Sequence, residues 1–280
     1  MQQPSSLPSR FWPVPIILAV VLFAGITAAG AAPVPVPDRT ADIQQLMVQA
    51  YRYYTGFGAP LSRARALKLY LQAAELGDAE AQFIVAGMYY RGLGTEKDQR
   101  QAFKWFLRAA EHGRYTARSL TIIGSMYLRG TGVPQNYMEA KKWLELAVKK
   151  GSVRAMSDLA FIYYNGLTGK KDFRRALALY REAALQGDIQ AQYNVGLMYA
   201  NGIGTPVDTV RAYAWYSLAA SQGNTMASVA RNSLMPAMNW QDLTRAQALS
   251  VRLYQEVEQN REKRQAEEQE ADSGKGGTTP

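Results

Sequence analysis

The chain has 280 residues, with 32 Lys and Arg against 23 Asp and Glu, a net charge of +9. It contains no cysteine and a single histidine, His112, which excludes disulfides, thiolate metal sites and a cysteine nucleophile, and leaves zinc without a ligand set. The basic excess has meaning only where it clusters, because solvated helix faces routinely carry such charge.

The chain opens with a short positive region at Arg10, an apolar run from Ile16 to Ile26, and a small-residue stretch with an A-x-A pattern at Ala29-Gly30-Ala31. This is the layout of a secretory signal peptide over residues 1–31; with Val14 and the flanking alanines the run is also nearly long enough for an uncleaved membrane anchor. Removing it loses only Arg10 of the charged residues, leaving +8. Either way the rest of the chain is expected to be exported, periplasmic or anchored facing the periplasm, which makes nucleic acid an unexpected partner. Pro33, Pro35 and Pro37 then favour an extended spacer over residues 32–37.

From residue 38 to 260 the pattern is helical. Asp42 to Tyr51 carries apolar residues three and four apart, and Gly56 and Gly58 stand to Ala66 as Gly92 and Gly94 stand to Ala102, so this first helix is a degenerate N-terminal unit. Glycines 77, 113, 151, 187 and 223 then open successive copies at spacings of 36, 38, 36 and 36 residues. A fixed period in this range marks a solenoid, whose units hide their apolar faces only against each other. Each copy reads as two antiparallel helices, A then B. Asp78, Asp188 and Asn224 are placed to cap A helices, Asp98, Asp172 and Asp208 to cap B helices, and G-x-G pairs such as Gly92 and Gly94 end the A helices. Ala73-Ala74, Ala109-Ala110, Ala183-Ala184 and Ala219-Ala220 near the ends of B helices let backbones approach closely. Tyr89, Tyr127, Tyr163 and Tyr199 share one aromatic slot, and Trp105, Trp143 and Trp215 another.

The pattern running from Ala176 to Gly204 resembles the Sel-one-like repeat family, a branch of the tetratricopeptide-like solenoids, and the likeness extends over about Tyr51 to Leu253. The resemblance implies an all-α, right-handed superhelical solenoid of antiparallel helix pairs, about six in number here. It also implies a non-enzymatic adaptor for other proteins, often in bacterial envelopes, with no cofactor. Two departures stand out. The second unit has two extra residues after Gly113, with Arg114 in place of the capping Asp, which predicts a loosened turn; the third has Gly166-Leu167-Thr168-Gly169 in place of G-x-G.

After Gly223, Thr225 to Leu234 forms one more A helix, Pro236 stops it, and Asn239 caps a last helix from near Gln241. Leu243, Ala246, Leu249, Leu253 and Val257 make one apolar stripe on it. Residues 261–270 lack an apolar face and 273–280 are rich in Gly and Thr, so 261–280 is expected to be a charged tail in which solvated helix frays into disorder.

No catalytic, metal or cofactor site emerges. His112 occupies a slot that elsewhere holds Leu76, Lys150, Gln186 or Gln222, so the slot demands no imidazole. The repeated aspartates recur once per helix start, as caps do, and Gly202-Ile203-Gly204 lacks the strand and lysine of a phosphate loop. Two surface features remain. Lys141, Lys142, Lys149, Lys150, Arg154, Lys170, Lys171, Arg174 and Arg175 make the middle units basic, a candidate patch for an acidic protein, an anionic polysaccharide or a membrane surface. On the A helices, the positions two, six and nine after the unit alanine leave an aromatic strip for a protein partner on the concave wall: Phe83 and Tyr90, Phe161 and Tyr164, and Tyr193. Two other readings are compatible with the sequence, an accessory protein or hydrolase of envelope polysaccharide, which needs paired carboxylates in one pocket, and a membrane-anchored structural spacer.

Overall fold

A computed structural model describes residues 39–114 and 116–273, so the expected leader, the proline spacer and the tail beyond residue 273 lie outside the described residues. Those described form twelve α-helices, one short 3-10 helix and no strand. The A helices are α1 (Arg39–Thr55), α3 (Ala79–Arg91), α5 (Ala117–Arg129), α7 (Val153–Asn165), α9 (Ile189–Asn201) and α11 (Thr225–Leu234). The B helices are α2 (Arg63–Glu75), α4 (Gln99–Glu111), α6 (Tyr137–Lys149), α8 (Phe173–Leu185), α10 (Thr209–Ser221) and α12 (Trp240–Ser273). Each A helix up to α9 packs on the B helix that follows it, and neighbouring pairs stack, giving the expected solenoid of antiparallel helix pairs. None of the described helices is long and apolar enough to cross a membrane.

The caps follow the sequence closely. Asp78, Asp98, Asp172, Asp188 and Asp208 each accept a hydrogen bond from the backbone N–H three residues on, and so does Asn224. Each thus satisfies a donor that the first turn of a helix would otherwise leave free. Asn239 does the same for α12 through the N–H of Asp242. In the G-x-G pairs the two glycines have different jobs. The first, Gly92 for example, takes the left-handed conformation that ends the A helix. The second, at 94, 132 and 204, lies so close to the first residues of the previous B helix that any Cβ would collide with the backbone of Arg63, Gln99 or Phe173. The shifted Gly169 of the third unit makes no such approach.

The core repeats in register. Ala66, Ala102, Ala140, Ala176 and Ala212 are fully buried on successive B helices, and Val85, Ile123, Leu159 and Val195 fill the matching place on the A helices. The paired alanines are buried too, except Ala220, which is half-buried. Of the aromatic slots, Trp105, Trp215 and Tyr199 are buried, whereas Trp143, Tyr89, Tyr127 and Tyr163 are half-buried. The guanidinium groups of Arg175 and Arg211 lie over the rings of Tyr163 and Tyr199, covering their outer faces.

Three details depart from sequence expectation. The second unit is not left uncapped: its two extra residues bring in Thr116, which forms a capping box with Ser119, while Arg114 turns away to pair with Glu80 and lie over the Phe83 ring. The α4–α5 interface that results is smaller than the α2–α3, α6–α7 or α8–α9 interface. His112 is tied to a buried side chain: its Nδ1 lies 2.9 Å from the amide nitrogen of Gln82, which itself donates to the carbonyl of Ala74. Gln222 occupies the same slot and donates to the buried Gln192 at 2.8 Å. Finally, the stretch 261–273 of the expected fraying tail is helical throughout. The helix α12 continues to Ser273, and the Asn260 amide and Arg264 guanidinium donate to the Leu185 and Gln186 carbonyls at the end of α8. These groups are left without partners inside α8, so the helix that reaches them is held by them.

Candidate partner-binding groove

The A helices present their side chains two, six and nine positions after the unit alanine to one wall. On α3 these are Phe83, Gly87 and Tyr90. Phe83 and Tyr90 both meet Phe106 of α4 edge-on, with ring centroids 5.3 and 6.5 Å away, so they are braced from behind while Tyr90 stays 40% exposed. Tyr164 on α7 is braced in the same way by Phe173 of α8 at 5.4 Å, and Tyr193 on α9 lies against Tyr216 of α10 at 5.7 Å. Phe161 is 47% exposed.

The five strip residues fall into three pockets. Phe83 and Tyr90 line a groove of about 620 Å³ between α3 and α5. Phe161 and Tyr164 line one of about 360 Å³ between α7 and α9, and Tyr193 faces another of about 360 Å³ against Met226 and Val229 of α11. A further pocket of about 580 Å³ joins the first two, sharing Arg129 with one and Phe161, Tyr180, Gln190 and Asn194 with the other. Hollows therefore adjoin one another from α3 to α9. In the α7–α9 pocket the hydroxyl of Tyr180 has its pKa raised far above the ordinary phenol value, chiefly by burial, so it stays a neutral hydrogen-bonding group.

Sequence reasoning passed over the most distinctive side of this wall. The α3–α5 groove is lined by Arg91, Arg118, Arg129 and Arg154, together with Thr121, Ile122 and Ser125 of α5. Thr121 and Ser125 occupy the same two slots as Phe83 and Gly87; the signal is in the sequence, but the two-residue insertion after Gly113 hides the register. Arg129 donates to Asp158 at 3.1 Å and Ser125 donates to the same carboxylate at 2.5 Å. Arg91, Arg118 and Arg154 make no ion pair among the described residues.

The nine residues of the sequence-defined basic patch are spread over α6 and its end, the start of α7, the α7–α8 loop and α8. Arg154 alone reaches the groove. Lys142 pairs with Glu139 at 2.6 Å, Lys141 with Glu145 at 3.8 Å and Arg175 with Asp172 at 3.2 Å, while Lys171 lies over Phe173. Lys149, Lys150, Lys170 and Arg174 have no such partner among the described residues. Asp42 and Glu75 share a hollow of about 510 Å³ between α1 and α2, and both are exposed. No group of three or more metal-ligating side chains occurs among the described residues.

Stacked helix pairs with their A helices along one pocketed wall define a tetratricopeptide-like α-solenoid. Sel1 repeats match residues 50–78, 79–113, 117–152, 153–188 and 189–224. The chain belongs to the Sel1 repeat family. It is similar to the Sel1 repeat protein from Oxalobacter formigenes, whose crystal structure superposes with a TM-score of 0.60 at 35% identity, over 69% of this chain and 76% of that one. It is also similar to c5321, a protective antigen of uropathogenic Escherichia coli strains displaying an SLR fold, at 22% identity over 78% and 62% of the two chains with a TM-score of 0.43. A putative Sel1 repeat protein from Klebsiella pneumoniae matches at 18% identity over 70% and 95%, with a TM-score of 0.40. No curated protein matches the chain in sequence. Sel1 repeat proteins are generally protein-interaction scaffolds and typically non-catalytic.

Proposed function

We propose that this protein is an exported adaptor of the bacterial cell envelope that holds a protein partner along its A-helix wall. The observation that carries the reading is the adjoining set of hollows from α3 to α9, in which Phe83, Tyr90 and Tyr164 are braced from behind by B-helix rings and Tyr90 and Phe161 are exposed in front. Braced aromatics lose little side-chain freedom on binding, which is what makes such residues effective anchors. The envelope location is supported by the leader pattern at residues 1–31 and the spacer that follows it.

Two measurements test the proposal. Alkaline phosphatase fused after Pro280 should be active, since it matures only outside the cytoplasm; an inactive but intact fusion would place the chain inside and end the envelope reading. A photocrosslinker at Phe161 or Tyr90 should trap one defined protein in cells, and the same group at Leu146, an exposed residue of B helix α6, should not. Equal trapping from both faces would reject the wall as the binding surface.

A further inference from the structure

We infer that the α3–α5 groove takes an acidic segment of a partner protein, with one apolar side chain seated between Phe83, Tyr90 and Ile122 and carboxylates on either side met by Arg91, Arg118 and Arg154. This deepens the adaptor reading and rests on it.

Charge is the first support. Arg118 and Arg154 sit in the first turns of α5 and α7, where the helix macrodipole is positive and a cation is disfavoured. The corresponding place on α3 holds Glu80, and on α9 Gln190. Neither arginine is compensated by a neighbouring acid among the described residues, and the acids near the groove are already engaged, Glu80 by Arg114 and Asp158 by Arg129. An incoming carboxylate would therefore be drawn both by the guanidinium groups and by the helix ends beneath them.

The second support is Gly87. A glycine inside a helix weakens it, and at 124 and 196 the reason is packing: a Cβ there would run into Leu144 or Tyr216. At Gly87 a Cβ would meet nothing within 4 Å. The gap belongs to the groove, and it lets a partner's main chain come close to α3.

The floor decides between kinds of polyanion. Phe83, Tyr90 and Ile122 present ring and aliphatic surface against which a leucine or phenylalanine side chain would gain by burial, a gain that a fully hydroxylated or sulfated chain has less apolar surface to make.

Selection of a displayed library of random short peptides on the full-length protein tests the assignment. Enriched sequences should carry carboxylates flanking an apolar residue. The selected peptide should lose binding to Gly87→Leu, which fills open space and leaves the circular dichroism melt intact, and weaken at least about tenfold with Arg118→Gln plus Arg154→Gln. It should be unaffected by Lys149→Gln plus Lys150→Gln, which changes the charge equally elsewhere. Neutral or basic peptides, or binders lost on Phe161→Ala but not on Gly87→Leu, would overturn the acidic-segment assignment while leaving the adaptor reading in place. Dextran sulfate binding in a manner sensitive to Gly87→Leu, with no peptide enriched, would overturn it in favour of an anionic polysaccharide. Concentration-dependent dimerisation abolished by the same two arginine substitutions would overturn it in favour of a second copy of the chain. Crosslinks equally strong from Leu146 and Phe161 would sink the adaptor wall itself.

Discussion

The junction between α4 and α5 and the junction between α8 and α9 are built from the same repeat and end differently. At the second, Gly187 leads directly into the Asp188 cap, whose other carboxylate oxygen accepts from Ser157 of α7 at 2.9 Å, and Phe161 and Leu197 occupy the sixth-position slot facing the wall. At the first, two extra residues move the cap to Thr116, the helices meet over a smaller area, and that slot holds Gly87 and Ser125. The core slots are kept at both. What differs is the surface, so one array presents a cationic groove at one junction and a smaller, amide-lined hollow at the other. In a solenoid each unit answers only to its neighbours, which lets one junction change without disturbing the next.

The comparison can be broken most sharply through the buried alanines. Ala184→Arg puts a charge and a long side chain into a closed contact and should cost about 3 kcal/mol or more, read as a large fall in thermal midpoint. Ala110→Arg, beside the smaller interface, should cost less; equal losses would mean the α4–α5 junction is as tightly packed as the others. Gly196→Ala comes next, because its Cβ would overlap the Tyr216 ring, and should destabilise by about 1 to 3 kcal/mol in urea titration. Asp188→Ala removes a cap and the Ser157 bond together and should cost about 1 to 2 kcal/mol, against about 1 for Thr116→Ala. Smallest, and opposite in sign, Gly87→Ala should stabilise by about 0.5 to 1 kcal/mol, since helix propensity improves and nothing is struck. A drop in stability on Gly87→Ala would remove the open gap on which the groove depends.

The architecture was legible because spacing and chemistry agreed: glycines at intervals of 36 or 38 residues, Asp or Asn caps at most helix starts and paired alanines near the ends of B helices mark the same boundaries. The groove was harder to read, for a physical reason. Arg91, Arg118 and Arg154 come from three helices, and only the stacking angle brings them to one hollow. The strip was legible on α3, α7 and α9 but not on α5, where two inserted residues shift every slot. The partnership of His112 with Gln82 joins residues 30 apart through a buried amide, and no local pattern encodes it. The helical stretch from 261 to 273 looked unable to hold itself, having no apolar face; Arg264 supplies the missing anchor from a distance, 78 residues along the chain from Gln186.

That anchor makes the array mechanically unequal from its two ends. α12 packs on α10 and also reaches α8, so the sixth pair is strapped to the fourth across the fifth. Tension applied at residue 39 would peel pairs away singly, starting with α1 and α2. Tension applied at residue 273 would first have to tear the strap loose, so the α12 end is the one suited to bear a load.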